Sequence, residues 1–176
     1  MGRPVKDTSY TPRPRWNGRQ AKPVESEART KWSAADLLRT TLEDYARFSI
    51  NVMHNDGVTR EPATERLKIS RNLISPEVES VLCESVIDPG RCTVSMGFAL
   101  GWRIVRINGN TIVDHTGADS DVKTFAFFVP QQKIGAVIFT AGPDVGHDII
   151  DKVPATIDPD QPVYQATLWQ EFPANE

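Results

Sequence analysis

Cysteine is scarce in these 176 residues, with Cys83 and Cys92 the only two. Two thiols cannot make a zinc site alone, and their spacing fits neither a CxxC redox pair nor a zinc knuckle. Long apolar runs are absent as well. No stretch approaches the roughly 20 residues that a membrane-spanning helix needs. Met1 is followed by Gly2-Arg3-Pro4-Val5-Lys6 where a signal peptide would place an apolar core. Taken literally, the chain reads as soluble and untargeted, with no membrane partner. A basic excess is missing too, since 20 Lys and Arg stand against 23 Asp and Glu for a formal net charge of −3. Steering of nucleic acid needs an overall basic field or a strong local patch, so no nucleic-acid partner is expected. There is no Gly-x-Ser-x-Gly elbow, no His-x-x-x-His pair and no phosphate-cradling glycine loop. His54 and His147 lack acidic or cysteine companions at ligand spacing. No metal and no cofactor is expected.

What remains is enough for a core. With 39% hydrophobic residues the chain fits one ordinary domain. Its first stretch, residues 1–32, is polar and broken by Pro4, Pro12, Pro14 and Pro23. Up to Lys31 it carries eight Lys or Arg against three Asp or Glu. This reads as an extended arm laid over its own domain, with Tyr10, Trp16 and Trp32 as anchors.

Residues 33–90 read as helical. Thr40 precedes Glu43 in a capping-box arrangement, and Leu42, Tyr45, Phe48, Val52 and Met53 recur at helical spacing until Asn55-Asp56-Gly57 stops them. A second, weaker helix begins near Ser75-Pro76-Glu77, where serine caps well and proline is tolerated in the first turn. The turn sequence Asp88-Pro89-Gly90 lies between the two cysteines. It leaves two readings open: a Cys83–Cys92 disulfide, or two small buried hydrophobes.

From residue 97 to about 155 the texture changes to alternating and β-branched residues. Gly101 to Ile107 and Thr111 to Asp114 flank Asn108-Gly109-Asn110, the pattern of two strands joined by an Asn-Gly turn. Thr124 to Val129 and Ile134 to Thr140 flank Pro130-Gln131-Gln132-Lys133. The expectation is an α+β fold in which an antiparallel meander packs with helices, closed by a helix from about Asp144 to Val153.

Several short motifs occur in order along this frame. They are the Thr-rich helix start Thr40-Thr41-Leu42-Glu43-Asp44-Tyr45, then Gly97-Phe98-Ala99-Leu100-Gly101-Trp102, then His115-Thr116-Gly117-Ala118 ending a strand. Phe127-Phe128-Val129-Pro130 and Ile134 to Thr140 follow. Any one tripeptide is weak, but the ordered set resembles the superfamily of class C β-lactamases, penicillin-binding proteins and esterases, over nearly the whole chain. The resemblance implies a partial β-lactamase/transpeptidase-like fold, a small-molecule acyl substrate, and the C-terminal part of the catalytic domain. It also implies roles on one strand. The Ala118 N–H would serve the oxyanion, Thr116 would offer a hydroxyl, Gly117 would let the substrate approach the backbone, and His115 stands where penicillin-recognising members carry lysine. A permanent cation is thereby exchanged for a side chain that is ordinarily largely neutral near pH 7, which turns the expectation away from classical penicillin recognition.

The family's nucleophile needs Ser-x-x-Lys at the start of a buried helix. Ser120-Asp121-Val122-Lys123 fits by letter, yet it runs straight from one strand into the next. Ser49-Ile50-Asn51 and Ser70-Arg71-Asn72 fit the family's Ser-x-Asn element in the same incidental way. The expected function is therefore that of a serine-hydrolase part, a fragment or natural truncation inactive alone, from a family whose members are often exported. The rival is a non-catalytic binding or assembly module built on the same half-fold. In either case the open edge along Ile134 to Thr140 is expected to meet a missing N-terminal half or a second copy of the chain.

Overall fold

The computed structural model describes residues 14–16, 21–23, 38–84, 92–119, 122–141 and 145–157. In chain order the elements are β1 (Pro14–Trp16), β2 (Ala21–Pro23), α1 (Leu42–His54), α2 (Arg60–Glu65), β3 (Arg71–Asn72), α3 (Pro76–Glu84), β4 (Val94–Phe98), β5 (Arg103–Ile107), β6 (Asn110–Asp119), β7 (Val122–Val129), β8 (Ile134–Ala141) and α4 (Val145–Ile157). Strands β3 to β8 form one antiparallel sheet in sequence order. The architecture is α+β, consistent with a partial β-lactamase-like fold.

The Asn108-Gly109 turn sets the register of this sheet. Both residues have positive φ, 47° and 83°, which gives a two-residue hairpin turn the twist of its flanking strands. Ile107 then faces Asn110, and counting outward brings Arg103 opposite Asp114. The β7–β8 turn resembles it in one respect: Lys133 has φ 57°, and its N–H donates to the Val129 carbonyl at 2.9 Å.

Helices cover both faces. On one face α3 and α4 contribute Val78, Leu82 and Ile150 to a cluster with Met96, Val105, Ile107, Ile112, Phe125, Phe127 and Ile138. On the other, Val52 of α1 joins Trp102, Ile104, Val113 and Phe128. This explains β7, where Phe125-Ala126-Phe127-Phe128-Val129 are buried in succession. A strand covered on one side alternates, whereas one covered on both sides is apolar throughout. Burying a phenylalanine side chain stabilises by roughly 1.5–3 kcal/mol, so β7 with its three is the main apolar contributor among the strands.

Four details differ from the sequence reading. The N-cap of α1 is Thr41, whose hydroxyl accepts from the Asp44 N–H at 3.1 Å; of two adjacent threonines, the one with extended backbone takes the cap. The sheet starts before residue 97, with β4 from Val94 and with β3 inside the stretch expected to be helical. Two residues are too short to show a period, and β3 is held by non-local bonds: the Ser70 N–H and hydroxyl both donate to the Phe98 carbonyl, at 2.8 and 3.0 Å. Helix α2 has six residues, again below what periodicity can resolve. Finally, β1 and β2 pair antiparallel within the stretch expected as an extended arm.

Cys83 at the end of α3 and Cys92 are joined by a disulfide, with Cα atoms 5.7 Å apart and a sequence separation of 9. A loop of that length removes roughly 2.5–3 kcal/mol of chain entropy from the unfolded state. Cys92→Ser is expected to lower unfolding stability by about that amount, and a reductant should lower the parent chain equally while leaving the variant unchanged. Urea titrations of both proteins with and without reductant check this.

Candidate functional site

Strand β6 is five residues longer than its pairing with β5. The β5–β6 ladder ends at Arg103 opposite Asp114, while on the other side β6 stays paired with β7 out to Asp119 opposite Val122. Residues 115–119 are thus held straight by one neighbour and have no strand partner on the β5 side among the described residues. His115, Thr116, Gly117 and Ala118 all lie on this half-open segment, so the strand brings the four expected site residues together. Backbone groups on a strand edge are fixed in direction by the ladder on the opposite side, which lets them stabilise a developing charge without reorganising.

Alternation divides their side chains. His115 and Gly117 share the α1 face with Val113, while Thr116 and Ala118 share the opposite face with Ile112 and Asp114. His115 and Ala118 are exposed, and Thr116 and Gly117 are partly buried.

A row of aromatic rings starts beside the exposed His115. The β4–β5 connection, closed by an Ala99 N–H to Trp102 carbonyl bond of 2.8 Å and a positive φ at Gly101, folds Trp102 back over β6. The His115 ring meets Trp102 edge to face at 6.3 Å. Phe128 meets the same indole at 5.4 Å, and Phe48 of α1 stacks on it at 6.1 Å while remaining 50% exposed. Tyr45 completes the row, 5.7 Å from Phe48 and 6.0 Å from Phe139. Burial pushes its hydroxyl pKa up, so it stays protonated.

Beneath the start of the open segment lies a charged pair that the sequence reading missed. The Arg103 Nε–H donates to both Asp114 carboxylate oxygens, at 2.8 and 3.1 Å, with the side chains 4% and 1% exposed. Burial pushes the Asp114 pKa up, and Arg103, then His115, pull it back. A buried carboxylate persists only with such a partner. The signal was present: an arginine and an aspartate equidistant from the Asn-Gly turn, each on the strand face that carries Val105, Ile107 and Ile112.

Gly117 has a cross-strand reason to be glycine. A Cβ placed there would lie 2.5 Å from the Thr124 hydroxyl oxygen and 3.9 Å from its Cβ. The other motifs are occupied structurally. The Ser49 hydroxyl donates to the Tyr45 carbonyl at 2.9 Å inside α1, and Ser70 binds Phe98 as described. Ser120 and Asp121 lie outside the described residues, as does the side chain of His147. Among the described residues no group of three or more His, Cys, Asp or Glu is placed to hold a metal ion.

The comparisons with known proteins speak to the family alone. A family model described as beta-lactamase matches residues 2–153. No match was found among curated proteins or among solved structures.

The Gly117 contact generates a test. Gly117→Ala is expected to cost about 1–3 kcal/mol through the clash with Thr124, and Thr124→Ala, which deletes the offending oxygen, should restore most of that loss in the double variant. Thermal unfolding of the two singles and the double decides it; simple additivity would assign the cost to the backbone instead.

Proposed function

The chain belongs to the beta-lactamase family of serine hydrolases, and from that premise we propose that it forms the oxyanion-side part of a hydrolase acting on an ester, amide or β-lactam through an acyl-enzyme. The observation that carries this reading is the segment 115–119, paired on one side only and bearing His115-Thr116-Gly117-Ala118. A serine oxygen attacks the acyl carbon, the carbonyl oxygen becomes an oxyanion, and the Ala118 N–H is the donor aimed at it. Thr116 supplies a hydroxyl to the substrate on its own face. Expulsion of the leaving group gives the acyl-serine, which water hydrolyses.

On this reading the attacking serine is supplied by a second segment. The chain's one Ser-x-x-Lys, Ser120 to Lys123, joins β6 to β7 where the family needs a helix start. The same observation favours the second reading, a non-catalytic module. The chain by itself is expected to leave chromogenic esters and cephalosporins intact and to remain unlabelled by fluorophosphonate or penicillin probes. Addition of an N-terminal half carrying Ser-x-x-Lys should restore turnover, and Ala118→Pro should lower the restored rate by roughly 100-fold or more. Circular dichroism confirms that the variant has folded. Labelling of the chain alone that disappears in Ser120→Ala would overturn the assignment of the nucleophile, and a folded complex without turnover would favour the module.

The partner surface follows from the sheet. Among the described residues β8 pairs only with β7, and Phe139 on it and Leu42 and Phe48 on α1 are exposed. Such an edge pairs with another strand, from the missing half or from a second copy. Light scattering over a concentration series is expected to detect association, reduced in Val137→Lys. A chain that stays monomeric, with the variant indistinguishable from it, would refute this edge as an interface.

A further inference from the structure

A cleft of 830 Å3 opens between α2 and the α1 face of the sheet. Its floor is apolar, formed by Val58, Leu67 and Ile69, and three cations, Arg60, Lys68 and Arg106, line it. No carboxylate is among the lining residues. The sequence explains the asymmetry. On α2 and its continuation, Arg60, Ala63, Thr64 and Leu67 fall at i, i+3, i+4 and i+7, one helical face. Glu61 and Glu65 fall off that stripe and do not line the cleft.

Two features hold the cationic lining in place. The Arg106 Nη2–H donates to the Leu67 carbonyl at 2.9 Å, which fixes the guanidinium against the floor and leaves its other N–H groups available. The C-terminal end of α1 is a partly negative helix end that disfavours an anion, although its Asn51 and Val52 carbonyls already accept from the Asp56 and Asn55 N–H groups. Here Arg66 covers it, donating to the Val52 carbonyl and, at 2.7 Å, to the Asn55 side-chain oxygen. Lys68 has an exposed contact with Glu65 at 3.4 Å. A surface pair of that kind is weak and leaves the ammonium free to exchange partners.

We infer that this cleft binds an anionic amphiphile, a carboxylate on an apolar chain, with the tail on Val58, Leu67 and Ile69 and the headgroup among Arg60, Lys68 and Arg106. The cleft is open to solvent, its volume lies in the range of small-molecule clefts, and its lining joins apolar side chains to three cations. Charge alone would select any anion, and the floor alone any oil. The two together select a molecule carrying both.

Calorimetry with the full chain tests this with decanoate below its micelle concentration, alongside acetate, which lacks the tail, and decanol, which lacks the charge. Decanoate is expected to bind in a one-to-one complex at least tenfold tighter than either, and to weaken as salt rises. Arg60→Glu combined with Lys68→Glu reverses two exposed charges without touching the core and should weaken decanoate tenfold or more while the melting temperature holds. Val58→Ser should weaken decanoate and leave acetate unchanged. Equal affinity for decanol, undiminished binding in the charge-reversed protein, or no decanoate binding at millimolar concentration would each overturn the inference. The readout is binding, so it stands or falls apart from any hydrolytic activity.

Discussion

The contact between Arg103 and Asp114 marks the point on which the candidate site depends. It is the last rung of the β5–β6 ladder, buried on the face covered by α3 and α4, and the next residue along β6 is His115. The carboxylate in that position needs its partner: with Arg103 removed, the buried Asp114 would lose the guanidinium that holds both its oxygens, at a cost of about 3–5 kcal/mol. The pair therefore ties the end of β5 to a defined place on β6. That place sets where the half-open segment begins and which face each of its side chains takes.

Rigidity on the other side of β6 comes from β7. Its five consecutive buried residues, 125–129, lie between helices on both faces and back β6 as far as His115 and Thr116, while Gly117, Ala118 and Asp119 pair with the partly buried Thr124, Lys123 and Val122. An open edge backed by such a strand keeps its direction without a second partner. On the α1 face His115 lies edge to face with Trp102, and a Cβ on Gly117 would press on the Thr124 hydroxyl.

Much of this was legible in the sequence, for local reasons. The Asn-Gly turn, the alternation of β5 and β6 and the spacing of Leu42, Tyr45 and Val52 are short-range signals, and the family resemblance rests on the order of such pieces. What stayed hidden was decided by distant partners. β3 exists because Arg71 and Asn72 pair with Phe98 and Gly97, and Ser70 bonds the Phe98 carbonyl, across more than twenty residues. The hairpin of β1 and β2 carries no alternation over three-residue strands. Trp102 belongs by position to the start of a strand, and only the fold of the Ala99–Trp102 connection carries it over His115. The choice between bonded and free cysteines likewise rests on where α3 ends relative to Cys92.

The division of side chains along β6 has a consequence for the proposed chemistry. His115 and Thr116 point to opposite faces, so no substrate lying on one face of the sheet can touch both. Backbone N–H groups lie in the sheet plane and belong to neither face. A substrate that uses the Ala118 N–H must therefore approach along the plane, at the edge that β5 leaves open. From there the Thr116 hydroxyl is reached on one side, while His115 and the Phe48–Trp102 stack are reached on the other. Phe48 is half exposed and extends the aromatic row from Trp102 on that face. Under the proposed chemistry, strand edge, hydroxyl and aromatic rings would then meet different parts of one molecule, which a face-on approach does not allow.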